Sequence, residues 1–296
     1  MTKKMKKMLK ILGWTTLIVI CLMIGFSIYM YQSNDVLRAI INNDESKLFY
    51  FPEKEVKPIT DLDYSENSLI VDDSITIHTY EFKSSKKETI GNIFLIHGAG
   101  GNISTYQNLI KPLVREGFSV YAAEWRGYGK STGTPNYTGV LRDTQTSFYD
   151  FRSKTANDSI KTIIYGMSLG GQLAVKITKD NQDIIDALVL DGSVQSAQQI
   201  AMDFAPVDFL KQRAKEHPEK FNQDYIAVQD IEDIVHIPKL IIHSKKDIEV
   251  PFNHGEALFE HAREPKSFWE TDTSHIMTLK EYPQETIARI HGLLQE

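Results

Sequence analysis

Cysteine is almost missing from this 296-residue chain: Cys21 stands alone, so no intrachain disulfide can form. Many exported proteins share that lack, so it assigns no compartment. Positive charge is also in deficit. Lys and Arg total 33 against 39 Asp and Glu, a formal charge of −6. The body has no basic patch interleaved with aromatics, which excludes nucleic acid as a partner. The histidines form no H-E-x-x-H sequence and no Cys/His cluster, so no metal site is expected. His254 and His261 share a predicted helix face, where solvated surface residues are the expectation. Internal repeats and low-complexity segments are absent as well.

What is present begins with the N-terminus. Lys3, Lys4, Lys6, Lys7 and Lys10 precede an uncharged stretch over residues 11–31. That stretch is about 21 residues, or about 31 Å as a helix, against a hydrocarbon core of about 30 Å. A cleaved signal peptide is the competing reading. Its apolar region would be unusually long, and the small pair Gly25 and Ser27 runs on into Ile28-Tyr29-Met30 without a clear cleavage site. Ile18-Val19-Ile20 before Cys21 lacks the small residues of a lipoprotein processing site. The expectation is an uncleaved single-pass anchor in the cell membrane, with the lysines cytoplasmic and the body extracytoplasmic. The segments are then a basic stretch over 1–10, a transmembrane anchor over 11–31, a juxtamembrane segment over 32–68 and a body over 69–296.

The body alternates apolar strands with helical stretches. Residues 75–80 alternate with a period of two, as a half-buried strand does. Residues 90–96 form an apolar run ending at His97-Gly98-Ala99-Gly100-Gly101. A helix over 105–115 is terminated by Gly117. Further strands are predicted at 119–123, 161–165, 187–190, 240–243 and 266–270, with helices at 139–151, 253–263 and 283–294. Continuous apolar strands between helices predict a largely parallel sheet covered on both faces, with chemistry beyond the carboxyl ends of its strands. At one such end lies Gly166-Met167-Ser168-Leu169-Gly170, a G-x-S-x-G sequence between a β-branched run and a helix. Strand, sharp turn, helix is the context in which this sequence means a nucleophile elbow.

The body resembles the α/β-hydrolases, and the likeness rests on several elements in the right order. They are His97-Gly98-Ala99-Gly100-Gly101, the Glu124-Trp125-Arg126-Gly127-Tyr128-Gly129-Lys130-Ser131 loop, the Ser168 elbow, and Asp247 followed by His275. The anchor is similar in architecture to membrane-tethered ABHD-type members. The resemblance implies an α/β-hydrolase fold, mostly parallel with helices on both faces and a short cap over 193–236. In that cap Met202, Phe204, Phe209 and Leu210 form an apolar face. Ser168 is then the nucleophile, which needs a base because a serine hydroxyl is weak at neutral pH. His275 follows the last strand, where members place that base, while His97 and His243 are expected to be structural. Asp247 is the expected acid, with Asp191 its main rival and Asp272 a solvated turn residue. Ser244 departs from the pattern, since relatives often carry glycine there. Backbone N–H groups of Leu169 and Ala99 form the expected oxyanion hole. A phosphate-cradling loop is disfavoured at 97–101, because no G-K-[ST] follows. Tyr128 is a possible lining residue of the acyl pocket, and Arg126 a structural tie.

These readings converge on a membrane-anchored serine hydrolase that cleaves an ester or thioester through an acyl-enzyme on Ser168. No metal or organic cofactor is expected. The expected partner is a small-molecule, lipid or acylated substrate; acyl length and oligomeric state stay open. A peptidase or amidase of the same fold is the alternative, and a non-catalytic interaction module on this scaffold is the third reading.

Overall fold

The computed structural model describes residues 2–155 and 159–295. Met1 and Glu296, which bound two predicted segments, lie outside the described residues, as do residues 156–158. The chain divides into two compact units, Met1–Leu48 and Phe49–Glu296.

The first unit comprises α1 (Lys3–Ser33), α2 (Asp35–Asn42) and α3 (Glu45–Leu48). By length and composition α1 can cross a membrane, and it contains the whole uncharged stretch. A helix satisfies its backbone hydrogen bonds internally, which is what an apolar bilayer demands of a spanning segment.

In the second unit the strands are β1 (Phe51–Pro52), β2 (Tyr64–Asp72), β3 (Ile75–Phe82), β4 (Gly91–Ile96), β5 (Gly100–Gly101) and β6 (Phe118–Ala123). They continue with β7 (Thr162–Met167), β8 (Ala187–Asp191), β9 (Lys239–Ser244) and β10 (Lys266–Thr271). The helices are α4 (Gln107–Glu116), α5 (Tyr137–Thr155), α6 (Gly170–Asp180), α7 (Ala197–Asp203) and α8 (Asp208–Glu216). Short α9 (Ala227–Asp230), then α10 (Asn253–His261), α11 (Thr278–Glu281) and α12 (Pro283–Leu293) complete the set. The main sheet has eight strands in the order β10-β9-β8-β7-β4-β6-β3-β2. From β10 to β6 the neighbours are parallel, and β3 and β2 close one edge antiparallel.

Every residue of β4, β7, β8 and β9 is buried, as expected where helices cover both faces. Side chains then part by pleat. Phe94, Ile96, Ile164, Leu188 and Ile241 join one core with Val140, Phe148 and Leu173. Ile93, Leu95, Ile163, Val189 and Leu240 join the other with Leu109, Leu113, Ile287 and Ile290. The helix predicted over 105–115 stops at Gly117, whose φ of 110° lets its N–H cap Leu113 and Val114 carbonyls.

Two predicted boundaries are corrected. The body starts at Phe49, not at 69: β2 begins at Tyr64, and residues 49–63 lie on the body. Tyr64–Asp72 is an edge strand with mostly exposed polar residues, so it carries little alternation to read. The cap over 193–236 is also narrower than expected. Tyr225, Ala227, Ile231 and Ile234 are buried in the main core, which leaves α7 and α8 as the projecting part.

Candidate active site

Ser168 stands between β7 and α6 with φ 53°, in the left-handed region that non-glycine residues rarely adopt. Its N–H donates to the Asp191 carbonyl at 2.9 Å, and its own carbonyl accepts from Gly171 and Val194. Those bonds hold a conformation that costs on the order of 1–3 kcal/mol. The turn also demands close approach. A Cβ on Gly170 would lie 2.3 Å from the His97 carbonyl oxygen and 2.5 Å from that of Ile96. No other residue lets α6 start so near the end of β4.

His275 lies between β10 and α11, and Asp247 in the turn after β9. The imidazole Nδ1–H donates to Asp247 Oδ2 at 2.6 Å, and both side chains are buried. Asp247 Oδ1 accepts from the N–H groups of Glu249 and Val250, each at 2.9 Å. Burial pushes the Asp247 carboxyl up, yet the His275 hydrogen bond, its charge and the two backbone donors hold it below the usual carboxylate range. Burial alone would push His275 down, but the Asp247 bond and charge outweigh it and raise the imidazole above 6.5. The ring lies against the Asp191-Gly192 backbone: a Cβ on Gly192 would be 3.1 Å from its Cε1 and Nδ1. Asp191 is the residue that receives the Ser168 N–H, so serine and imidazole flank one peptide. No hydrogen bond joins Ser168 Oγ to His275 among the described residues. In unliganded enzymes such bonds are often long and tighten only with substrate.

The rival carboxylates point elsewhere. Asp191 Oδ2 accepts from the buried Tyr165 hydroxyl at 3.0 Å, and burial pushes its carboxyl up to about 7. Asp272 pairs at the surface with Lys246 and Tyr282. His243 supports the acid turn: its Nε2–H donates to the Val250 carbonyl at 2.9 Å, and the same atom lies 3.8 Å from Asp247 Oδ2. Ser244, the departure from the family pattern, donates to the Thr273 carbonyl at 2.5 Å. It thereby ties the acid turn to the turn that carries His275.

Ala99 sits in a loop gripped from several sides. A Cβ on Gly98 would come within 3.0 Å of Ser168 Cβ, which places the loop over the serine. The Ala99 carbonyl accepts from Phe51 N–H at 2.8 Å and from the Tyr128 hydroxyl at 2.6 Å. Tyr106 Oη accepts from Gly98 N–H and donates to the Gly100 carbonyl. His97 is fully buried, donates from Nδ1 to the Gly98 carbonyl at 2.7 Å, and packs on Trp125 and Tyr128. Burial pushes it down to about 4.

The pocket role expected for Tyr128 is corrected here. Its ring is wholly buried beneath the loop, so it offers no surface to a substrate, and its hydroxyl is spent on Ala99. Sequence reasoning also missed the strap of residues 51–57. β1 pairs with β5, Asn102 Nδ2 donates to the Glu53 and Glu55 carbonyls, and Lys57 N–H reaches Ser104. Two-residue strands leave no periodicity, so no local signal could have found it. Arg126, expected to tie loops, does so. Its guanidinium and backbone N–H all engage Asp143, a carboxylate with no exposed side-chain surface.

His254 overturns its expectation as a solvated residue. It is fully buried, its Nδ1 accepts from Gln195 N–H at 3.0 Å, and Nε2–H donates to Asp203 Oδ2 at 2.8 Å. One imidazole thus holds both ends of α7. His261, by contrast, is half exposed and pairs with Glu232. Among the described residues no cluster of three His, Cys, Asp or Glu side chains could hold a metal ion. A cleft lined by Lys161, Gln182, Asp186, His236 and Ile237 lies at the opposite, amino ends of β7 and β8.

A mostly parallel sheet with this strand order, and a serine on a strained strand-to-helix elbow, defines the α/β-hydrolase fold. A family model described as serine aminopeptidase, S33, matches residues 87–226. The uncharacterized protein YfhR of Escherichia coli strain K12 is 27% identical over 251 residues, 83% of this chain and 82% of that protein. The lysophosphatidylserine lipase ABHD12 of Danio rerio is 27% identical over 198 residues, 59% of this chain and 48% of the lipase. Among solved structures, the Pyrococcus furiosus esterase Pf2001 matches with a TM-score of 0.66 at 18% identity, covering 83% of this chain and 97% of the esterase. The chain has the α/β-hydrolase fold, and the family model and the relatives support its membership of that superfamily.

Proposed function

We propose that the chain is a membrane-tethered serine hydrolase that cleaves an ester or thioester. The observation that carries this reading is the buried 2.6 Å contact between His275 Nδ1 and Asp247 Oδ2. It fixes the tautomer in which Nε2 is free to accept a proton. Ser168 Oγ attacks the acyl carbonyl as His275 takes its proton, and the leaving alcohol or thiol receives that proton back. Water then repeats the step on the acyl-enzyme and frees the acid. The N–H groups of Leu169 and Ala99 receive the developing oxyanion, each donor contributing on the order of 2.7–4 kcal/mol to the transition state. The lipase and esterase among the similar proteins support an acyl or lipid substrate.

The anchor reading rests on α1 and the lysines in its first turns, and the excess of positive charge there supports a cytoplasmic N-terminus with the catalytic body on the far side. Tethering raises the effective concentration of lipid-borne substrate. Turnover of both soluble and membrane-borne esters unchanged by deleting residues 1–31 would remove that part. For the chemistry, a fluorophosphonate probe should label the wild type and leave Ser168→Ala unlabelled; equal labelling of both ends the assignment. The description of the matching family favours a second reading, hydrolysis of an N-terminal peptide bond. A panel of aminoacyl amides beside matched esters separates the two.

A further inference from the structure

The outward side of the cap exposes large apolar side chains among its charged ones. Along the turn from α7 into α8, Phe204 is 55% exposed, Val207 54% and Phe209 71%. On α8 the part-buried positions are Leu210 and Ala214, one turn apart. Phe209 therefore projects from the other side, beside Arg213 a turn later. Lys211, Arg213 and Lys215 are exposed and have no ion-pair partner among the described residues. Ile248, next to Asp247, is 84% exposed. The inner side of α7 is already committed: Ala197 is in the core and Asp203 is held by His254. The exposed aromatics are thus not a helix turned the wrong way.

We infer that this cap surface docks on a phospholipid bilayer, with Phe204, Val207 and Phe209 entering the interface and Lys211, Arg213 and Lys215 facing lipid phosphates. Aromatic and aliphatic side chains beside lysine and arginine are what an interfacial surface element needs. Each such cation adds attraction to an anionic leaflet. The occupant follows from the chain itself. Only α1 among the described helices is long and apolar enough to span, and it keeps a bilayer within tether range of the body. A protein partner would have to be recruited, whereas the anchor helix is part of the same chain as the body. The consequence rests on the tethered-hydrolase reading: an acyl substrate dissolved in the bilayer would reach Ser168 from the lipid side.

The test uses the full chain with Cys21→Ser, reconstituted in vesicles of phosphatidylcholine and phosphatidylglycerol. A nitroxide is attached at Phe209→Cys and, as control, at Ile70→Cys, an exposed position on β2. Docking predicts that the label at 209 meets oxygen more often, and a water-soluble nickel chelate several-fold less often, than the label at 70. Equal nickel access at both positions overturns the proposal. Loss of access to oxygen and nickel together overturns it too, because protein, such as a second copy, then covers the surface. In a second arm, Phe204→Ser with Phe209→Ser should leave a water-soluble butyrate ester unaffected and slow a vesicle-borne long-chain ester at least about tenfold. Equal rates on the vesicle ester count against docking. If the wild type cleaves neither ester, the hydrolase reading falls while the nitroxide result still decides the surface.

Discussion

Replacing Asp247 by asparagine keeps the side chain's shape and changes only what one of its atoms can do. Oδ1 is bound by the N–H groups of Glu249 and Val250, so the amide oxygen must occupy that position. The NH2 group is then left facing His275 Nδ1, where Oδ2 now sits at 2.6 Å. A donor facing Nδ1 makes it an acceptor and moves the ring proton to Nε2, the atom that has to receive the serine proton. The same substitution in a serine protease triad lowers kcat about 10⁴-fold, which corresponds to about 5.4 kcal/mol in the barrier. The assay is kcat for a p-nitrophenyl ester by the full chain in detergent, with active sites counted by a fluorophosphonate burst. A kcat within tenfold of wild type at full active-site count would refute the reasoning, as would a greater loss from Asp191→Asn.

The remaining predictions address pH, the strap and the buried charges. His275 sits above 6.5, and its protonated form cannot accept the serine proton, so kcat/KM should rise with pH through a midpoint above 6.5. Asp247→Asn should move that midpoint down, and a wild-type midpoint at or below 6.5 in a pH–rate profile contradicts the assignment. Phe51→Pro removes the N–H that holds the Ala99 carbonyl at 2.8 Å. It should lower kcat by about threefold to tenfold with KM little changed, whereas Phe51→Leu keeps the bond and the rate; steady-state kinetics on the pair decides. Burial raises the Glu124 carboxyl from 4.5 to about 7, so its contribution to stability is present below about 4.5 and is lost as pH rises through about 7. Glu124→Gln should therefore stabilise the chain at pH 8, by at most about 3 kcal/mol, and not at pH 4. Melting curves at the two pH values test it, and a pH-independent shift would be the wrong result. Asp143→Asn leaves Asp72, at 3.6 Å, as the remaining counter-charge of the Arg126 guanidinium and should cost about 1.5–3 kcal/mol in urea unfolding. A loss under about 1 kcal/mol would show that water reaches the pair.

The sheet is legible because its central strands are buried on both faces. Runs such as those around Ile93 and Ile163 then read as unbroken apolar segments between helical stretches. The elbow is legible because closeness of backbone at Gly170 admits one residue type, and a residue type is what a sequence records. The strap at 51–57, the edge strand at 64–72 and the burial of His254 are not legible. The strap and His254 depend on partners far away in the chain, and the edge strand, although it pairs with the neighbouring β3, exposes polar residues and leaves no periodic mark.

By itself the amino-acid sequence determined an alternating α/β body, an apolar N-terminal helix and a serine on a sharp turn, because local periodicity and glycine placement specify such elements. It also narrowed the acid to a few carboxylates at strand ends. Only the tertiary structure shows which of them meets the imidazole. Asp191 faces Tyr165 while Asp247 faces His275, and that choice is made by how β8, β9 and β10 lie side by side rather than by any neighbour in sequence. The same holds for Tyr128, whose ring turns under the Ala99 loop instead of into a pocket, since packing against His97 and Trp125 is a property of the assembled core.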